Sequence, residues 1–308
     1  MSNEHNVLLD EWLKSESPGG TPTDMESLID RVNRSEISTI RQSVTAIVRV
    51  INDPQSTIKE LKEVILLDPP LAAKVLKTAN SAYYSGPFSH TFTDMEQAII
   101  WMGTETIKEL ALSQKVCEIF DRNDKIEAYS RKDLWRHSIA VGLMAKFIFR
   151  KEFGIKGENA YVAGLLHDIG IIAEDQFLQS EFRQMLCFSR SEEIDIVKAE
   201  RETWKFDHAS VGEAISVSWG LMDELIAAIG YHHDPFNANP LFSRIVETLY
   251  ISDYYCRIEG YGYGVTPRSD QDLFCSCLRS LDIKPHAIEI IFKGAIDEIK
   301  KMEDKGLL

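Results

Sequence analysis

The chain has 308 residues, 44% hydrophobic and 27% charged, with a formal net charge of −14. That length allows one large or two modest domains, with ample apolar residues for a core. The acidic balance argues against a binder of nucleic-acid backbones or anionic membranes, and no run of about 18 apolar residues is present to cross a bilayer.

Residues 1–23 read as a flexible tail, because 15–23 is rich in Ser, Pro, Gly and Thr. Residues 1–12 lack the basic start and apolar centre of a secretion signal. Asp24 is placed to cap a helix opening at Met25. From Ile40 the pattern is helical, with Val44, Ile47, Val48 and Ile51 at three/four spacing, until Asp53-Pro54 breaks it. Ser56 or Thr57 starts the next helix, whose apolar stripe is Ile58, Leu61, Ile65 and Leu66. Asp68-Pro69-Pro70 is a stop and restart, since proline fits a first helical turn. Leu71, Val75, Leu76 and Ala79 make the third stripe. Residues 80–93 read as a loop. Asp94 caps a short helix, and Gly103-Thr104 interrupts before Ile107, Leu110, Ala111 and Val116. Residues 24–120 therefore read as a bundle of short helices.

Polar residues 121–125 mark a boundary. A long helix over 132–153 carries His137, and a helix over 158–167 delivers His167 and Asp168. Residues 189–202 are charged and read as a solvated face. Asp207 caps a helix bearing His208, Val211, Ile215 and Trp219, which Gly220 ends. Leu225, Ile226, Ala228 and Ile229 lead into His232-His233-Asp234-Pro235, where proline closes the helix. Residues 243–256 form an apolar helix with Asp253 near its end. Residues 260–264 are a glycine-tyrosine loop, and 285–301 a last helix with Ile288, Ile291, Ile296 and Ile299 inside. No long alternating strand pattern appears, so the fold class is all-α. Cys117, Cys187, Cys256, Cys275 and Cys277 are odd in number and scattered, the usage of a reducing compartment, and a cytoplasmic location is expected.

The chemistry gathers in the second half. Leu165-Leu166-His167-Asp168-Ile169-Gly170 sets an imidazole and a carboxylate side by side, and both bind divalent metals. Adjacent helical residues point about 100° apart, so both reach one ion only near a helix end. Gly170 suits such an end. Further candidates are His137, His208, His232, His233 and Asp253, all on expected helices or helix ends. Inward-facing donors from several helices are how a bundle builds a metal site. Against this stands the commoner fate of a histidine, a surface or satisfied core residue.

The chain resembles the HDOD proteins, the HD-related output domains of bacterial signalling, over about residues 35–260. The most specific segment is Leu67-Asp68-Pro69-Pro70-Leu71-Ala72-Ala73-Lys74-Val75-Leu76-Lys77-Thr78-Ala79-Asn80-Ser81-Ala82-Tyr83-Tyr84, followed by Ala98-Ile99-Ile100-Trp101-Met102-Gly103. Gly164-Leu165-Leu166-His167-Asp168-Ile169-Gly170, Asp207-His208-Ala209-Ser210-Val211-Gly212 and Ala228-Ile229-Gly230-Tyr231-His232-His233 match the later half. The resemblance implies two helical lobes: an N-terminal subdomain over 24–120 and an HD-like metal-site lobe over 121–260. Residues 261–308 would form a C-terminal extension packed on the second lobe. By similarity to the related HD-GYP branch, His137, His167, Asp168 and Asp253 would hold one metal. Asp168, the residue assigned the catalytic role, would bridge to a second metal on His208, His232 and His233. Asp133, one turn before His137, is either a further ligand or a solvent-facing helix-start acid.

Two departures set limits. The active phosphodiesterases carry lysine after His-Asp-Ile-Gly, where this chain has Ile171. They carry Gly-Tyr-Pro after the paired histidines, where this chain has Asp234-Pro235-Phe236. Cyclic-dinucleotide hydrolysis therefore does not follow. The resemblance implies a signalling output or interaction module retaining a mono- or dinuclear metal site, with an unidentified signalling protein as partner. The alternative is a metal-dependent phosphohydrolase acting on a nucleotide or another phosphate ester. A helical domain with relic histidines is the third reading. Five histidines and two carboxylates suit iron, manganese, nickel or zinc, with iron preferred by analogy. Asn80 is expected to satisfy backbone groups rather than bind a ligand.

Overall fold

A computed structural model describes residues 24–81, 92–120, 125–126, 129–263 and 270–304. The expected tail at 1–23 lies outside the described residues, as do 82–91 of the 80–93 loop and 121–124 of the expected boundary.

Apolar stripes and side-chain caps build the first lobe. Helix α1 (Met25–Asn33) opens with the Ser27 amide donating to Asp24 Oδ1 at 2.7 Å. Helix α2 (Glu36–Asn52) buries Val44, Ile47, Val48 and Ile51 and stops at Asp53. Helix α3 (Ile58–Leu66) starts from Thr57, whose hydroxyl and the Glu60 carboxylate cap one another's backbone amides. Its buried stripe is narrower than expected. Leu61 and Ile65 are buried, but Ile58 and Leu66 are 37% and 47% exposed. Helix α4 (Pro69–Ala79) restarts at the proline pair, capped by Asp68. Asn80 follows and clamps the Phe92 backbone, accepting from its amide at 2.6 Å and donating to its carbonyl at 2.9 Å. Helices α5 (Met95–Met102) and α6 (Thr104–Phe120) are separated by Gly103, whose φ of +84° favours glycine.

The second lobe is organised on α7 (Arg131–Glu152), introduced by a two-residue antiparallel pair, β1 (Lys125–Ile126) with β2 (Tyr129–Ser130). Helix α8 (Glu158–Leu166) crosses α7 closely. A Cβ on Gly164 would overlap the Gly142 backbone, so glycine on both helices permits the approach. Then follow α9 (Ile169–Phe177), α10 (Gln179–Ser191), α11 (Ile196–Thr203), α12 (His208–Trp219) and α13 (Asp223–Gly230). Two 3-10 turns, Pro235–Asn237 and Pro240–Phe242, lead to α14 (Ser243–Ile258). Helices α15 (Gln271–Ser280) and α16 (Pro285–Asp304) close the described chain, α16 lying along α7 with Ile288, Ile291, Ile296 and Ile299 buried. Helix α1 packs on α9 and α12 as well as on α2, tying the chain's start to the second lobe. Apart from the short β1–β2 pair, regular structure among the described residues is helical, as the sequence predicts. No helix among them is long and apolar enough to cross a membrane.

Candidate metal centre

Five elements bring the seven expected side chains together, six of them into shared donor groups and Asp253 beside His137. His137 comes from the second turn of α7, and His208 opens α12. His232 and His233 follow α13, and Asp253 lies in the last half of α14. His167 and Asp168 occupy the break between α8 and α9, the helix end that an adjacent pair requires. Gly170 is not that end. It lies in the first turn of α9, where a Cβ would overlap the His208 carbonyl oxygen. Its smallness brings α9 against α12, and so Asp168 against His208.

The imidazoles share one orientation. The Nδ1–H of His137 donates to the Tyr261 carbonyl at 2.6 Å, that of His167 to Gly164 at 2.8 Å, and that of His232 to Ile229 at 2.6 Å. His208 Nδ1 donates to Glu200 Oε2 at 2.8 Å. A carbonyl only accepts, so these rings carry hydrogen on Nδ1 and turn the Nε2 lone pair inward. His137 Nε2 then faces His167 Nε2 at 3.2 Å, and His208 Nε2 faces His233 Nε2 at 2.9 Å. Asp168 sits between the groups, with Oδ2 3.1 Å from His167 Nε2 and Oδ1 3.2 Å from His208 Nε2. Neither Asp168 oxygen has a hydrogen-bond donor, and nor does His232 Nε2. Asp253 Oδ1 is 3.0 Å from His137 Nε2, while its Oδ2 is 4.0 Å from His233 Nδ1.

Two subsets have donor atoms all within 4.8 Å of one another: His137, His167 and Asp168; and Asp168, His208, His232 and His233. Asp168 belongs to both. Two nitrogens bound to one ion at about 2.0–2.1 Å stand roughly 2.8–3.4 Å apart, which the facing pairs match. Paired lone pairs and an unpartnered buried carboxylate are costly in themselves, and a cation between them removes both costs. The donor set therefore fits a divalent metal.

Electrostatics follow from burial and crowding. Burial would raise the Asp168 carboxyl, but the surrounding His167, His208 and His232 rings hold it well below the usual carboxylate range. Burial opposes the charged form of His208, yet Glu200 and Asp168 on either side raise it well above its ordinary value. Burial, reinforced by His232 and His208, pushes His233 well down. Asp133 stays out of the cluster. Its backbone amide donates to Ser130 Oγ at 3.0 Å, and its carboxylate accepts from the Ser130 hydroxyl, the pattern of a helix-start acid.

Sequence reasoning missed several supporting groups. Residues 189–202 are not simply a solvated face: Glu200 is fully buried and binds both the amide and the ring of His208. Glu174, also fully buried, lies behind it, and burial next to Glu200 raises its carboxyl well above the usual range. The 260–264 loop supplies the Tyr261 carbonyl to His137, and Tyr263 sets its ring edge-on to that imidazole at 5.2 Å. The i+4 spacing from Asp253 could have flagged Arg257, whose Nε donates to Asp253 Oδ1 at 2.8 Å.

Helices converging five histidines and two aspartates on one buried point define an HD-type helical protein. Residues 37–235 match the HDOD domain, and the chain belongs to that family. It is similar to the structure of an HDOD domain protein of unknown function from Geobacter sulfurreducens, with 26% identity and a TM-score of 0.73 over 92% of this chain and 99% of that one. A candidate signal transduction protein from Marinobacter aquaeolei VT8 shares the fold, at 21% identity and a TM-score of 0.71, over 92% of this chain and 64% of that one. An uncharacterized protein of Treponema pallidum (strain Nichols) is 24% identical over 234 residues. That match takes in 72% of this chain but only 42% of the relative.

Proposed function

We propose that the chain is a bacterial signal-transduction output module whose second lobe binds a dinuclear metal centre. His137, His167, Asp168 and Asp253 would hold one ion, and His208, His232 and His233 the other, with Asp168 bridging. What supports this reading most is the unpartnered Asp168 carboxylate lying between two pairs of facing imidazole nitrogens. Imidazole-rich donors with two carboxylates suit iron, manganese, nickel or zinc, and iron is the preferred ion. The functional units would be 24–120, 121–260 and 261–308, in a cytoplasmic protein acting on a signalling partner. Calorimetric titration of metal-stripped protein with iron(II), manganese(II) or zinc(II) tests the site. Close to two equivalents should bind, and His167→Ala and His232→Ala should each bind fewer. Absence of binding by the intact chain overturns the reading.

A second reading, a phosphohydrolase for a nucleotide or another phosphate ester, is favoured by one further feature. A cavity of about 460 Å³ opens over His233 and Asp253. Bound metals would supply an activated water and charge neutralisation. The chain's own residues would orient the ester, exclude bulk water and hold the Asp168 carboxylate ionised. Metal-loaded protein that turns over no phosphate ester in a broad panel separates the first reading from this one.

A further inference from the structure

The cavity above the cluster is lined by three cations, Lys198, Arg201 and Arg257, among the carboxylates of Asp195, Glu202, Asp234 and Asp270. Arg201 is committed, its Nε donating to Asp207 at 2.6 Å and its Nη2 pairing with Asp234. Lys198 is exposed on α11. Arg257 differs from both. It sits one helical turn after Asp253, and its Nε donates to that carboxylate at 2.8 Å. Its guanidinium also lies over the Tyr263 ring, with Cζ 6.0 Å from the centroid. One edge and one face of the guanidinium are thus fixed. Among the described residues, no acceptor meets its two Nη groups.

A guanidinium held in this way keeps its free edge ready to make two parallel N–H bonds, the geometry that phosphate oxygens accept. We infer that Arg257 is the phosphate clamp of this site. The ligand is a small phosphate ester whose phosphoryl group lies between the metal centre and Arg257. Tyr250, Tyr254 and Leu273 line the same cavity and suit the organic part of the ester. Tyr254 is itself braced by stacking on Phe274 at 4.4 Å. A volume of about 460 Å³ falls in the lower part of the roughly 300–1,000 Å³ range of small-molecule sites, so the space fits one compact ester. The inference rests on the metal reading above, and the test separates the two.

Inorganic phosphate is titrated by calorimetry into manganese-loaded protein whose metal content has been measured. The intact protein should bind phosphate. Arg257→Gln should keep its metal and bind phosphate at least about tenfold more weakly. Equal phosphate binding by metal-loaded Arg257→Gln overturns the clamp and leaves the metal site standing. So does an intact, metal-loaded protein that binds no phosphate. An intact protein that takes up no metal overturns the underlying reading and the clamp with it. If Arg257→Gln loses its metal, Arg257→Lys decides. Phosphate binding weakened about threefold or more supports a bidentate fork, and undiminished binding overturns it.

Discussion

The two lobes bury different chemistry. In the first, the interior of α2–α6 is Val44, Ile47, Leu61, Ile65, Leu71, Val75 and similar residues, and its buried charges, Lys108 and Lys115, reach carboxylates near the surface. In the second, His137, His167, Asp168, Glu174, Glu200, His208, His232 and Asp253 are all buried. An incompletely paired buried ion costs several kcal/mol. The first lobe demonstrates that this chain forms a helical core without accepting that cost. The polar interior of the second lobe is what the proposed metal centre would account for, since the needs of folding do not.

That contrast can be broken or sharpened by substitution. The largest effect on stability is expected at Gly170. Gly170→Ala forces a methyl group into the His208 carbonyl and should lower stability by about 3 kcal/mol, measured by urea denaturation. It should weaken metal binding as well, because α9 and α12 separate.

Glu200→Gln should behave oppositely on the two readouts. Metal affinity should fall about ten- to a hundredfold, since Glu200 fixes the His208 ring. The metal-free protein should be at least as stable as the parent, because a buried carboxylate next to Glu174 is removed. A large loss of stability without loss of metal would mean that the polar interior serves the fold after all.

The smallest effect belongs to the first lobe. Asp68 caps α4 through the Leu71 amide at 3.1 Å and pairs with Lys115 at 2.6 Å. Asp68→Asn keeps the cap but loses the charge pair, and should cost about 1–2 kcal/mol with metal binding unchanged. Burial works against the ionised carboxyl, but the Lys115 and Leu71 hydrogen bonds hold Asp68 below its ordinary value. Its ionised form therefore stabilises the fold above about pH 4, and that stability is lost as pH falls through the lowered value. The difference between parent and variant should shrink in acid denaturation below that range.

Most of the fold was legible because caps and stripes are local. Asp24, Asp94 and Asp207 each cap the helix that the sequence predicts for them, and Thr57, one of two candidates, caps the helix that follows it. The side chains that converge were legible as residue types on helix ends, and the break at His167-Asp168 followed from their adjacency. What surrounds them was not. Glu200 looked like one charge among many in 189–202, because its burial depends on α11 packing beside α12. Gly170 looked like a helix end, because only the approach of a distant carbonyl reveals its role. The Tyr261, Gly164 and Ile229 carbonyls carry no sequence signal, since any residue has one.

The most direct test is the metal content of untagged protein, purified without chelator and measured by mass spectrometry. The proposed metal centre predicts one to two equivalents of a transition metal, iron foremost, in the intact chain, with most of it lost in His167→Ala and His232→Ala. Intact protein that carries no metal, and takes up none when reconstituted with iron, manganese or zinc, would contradict it.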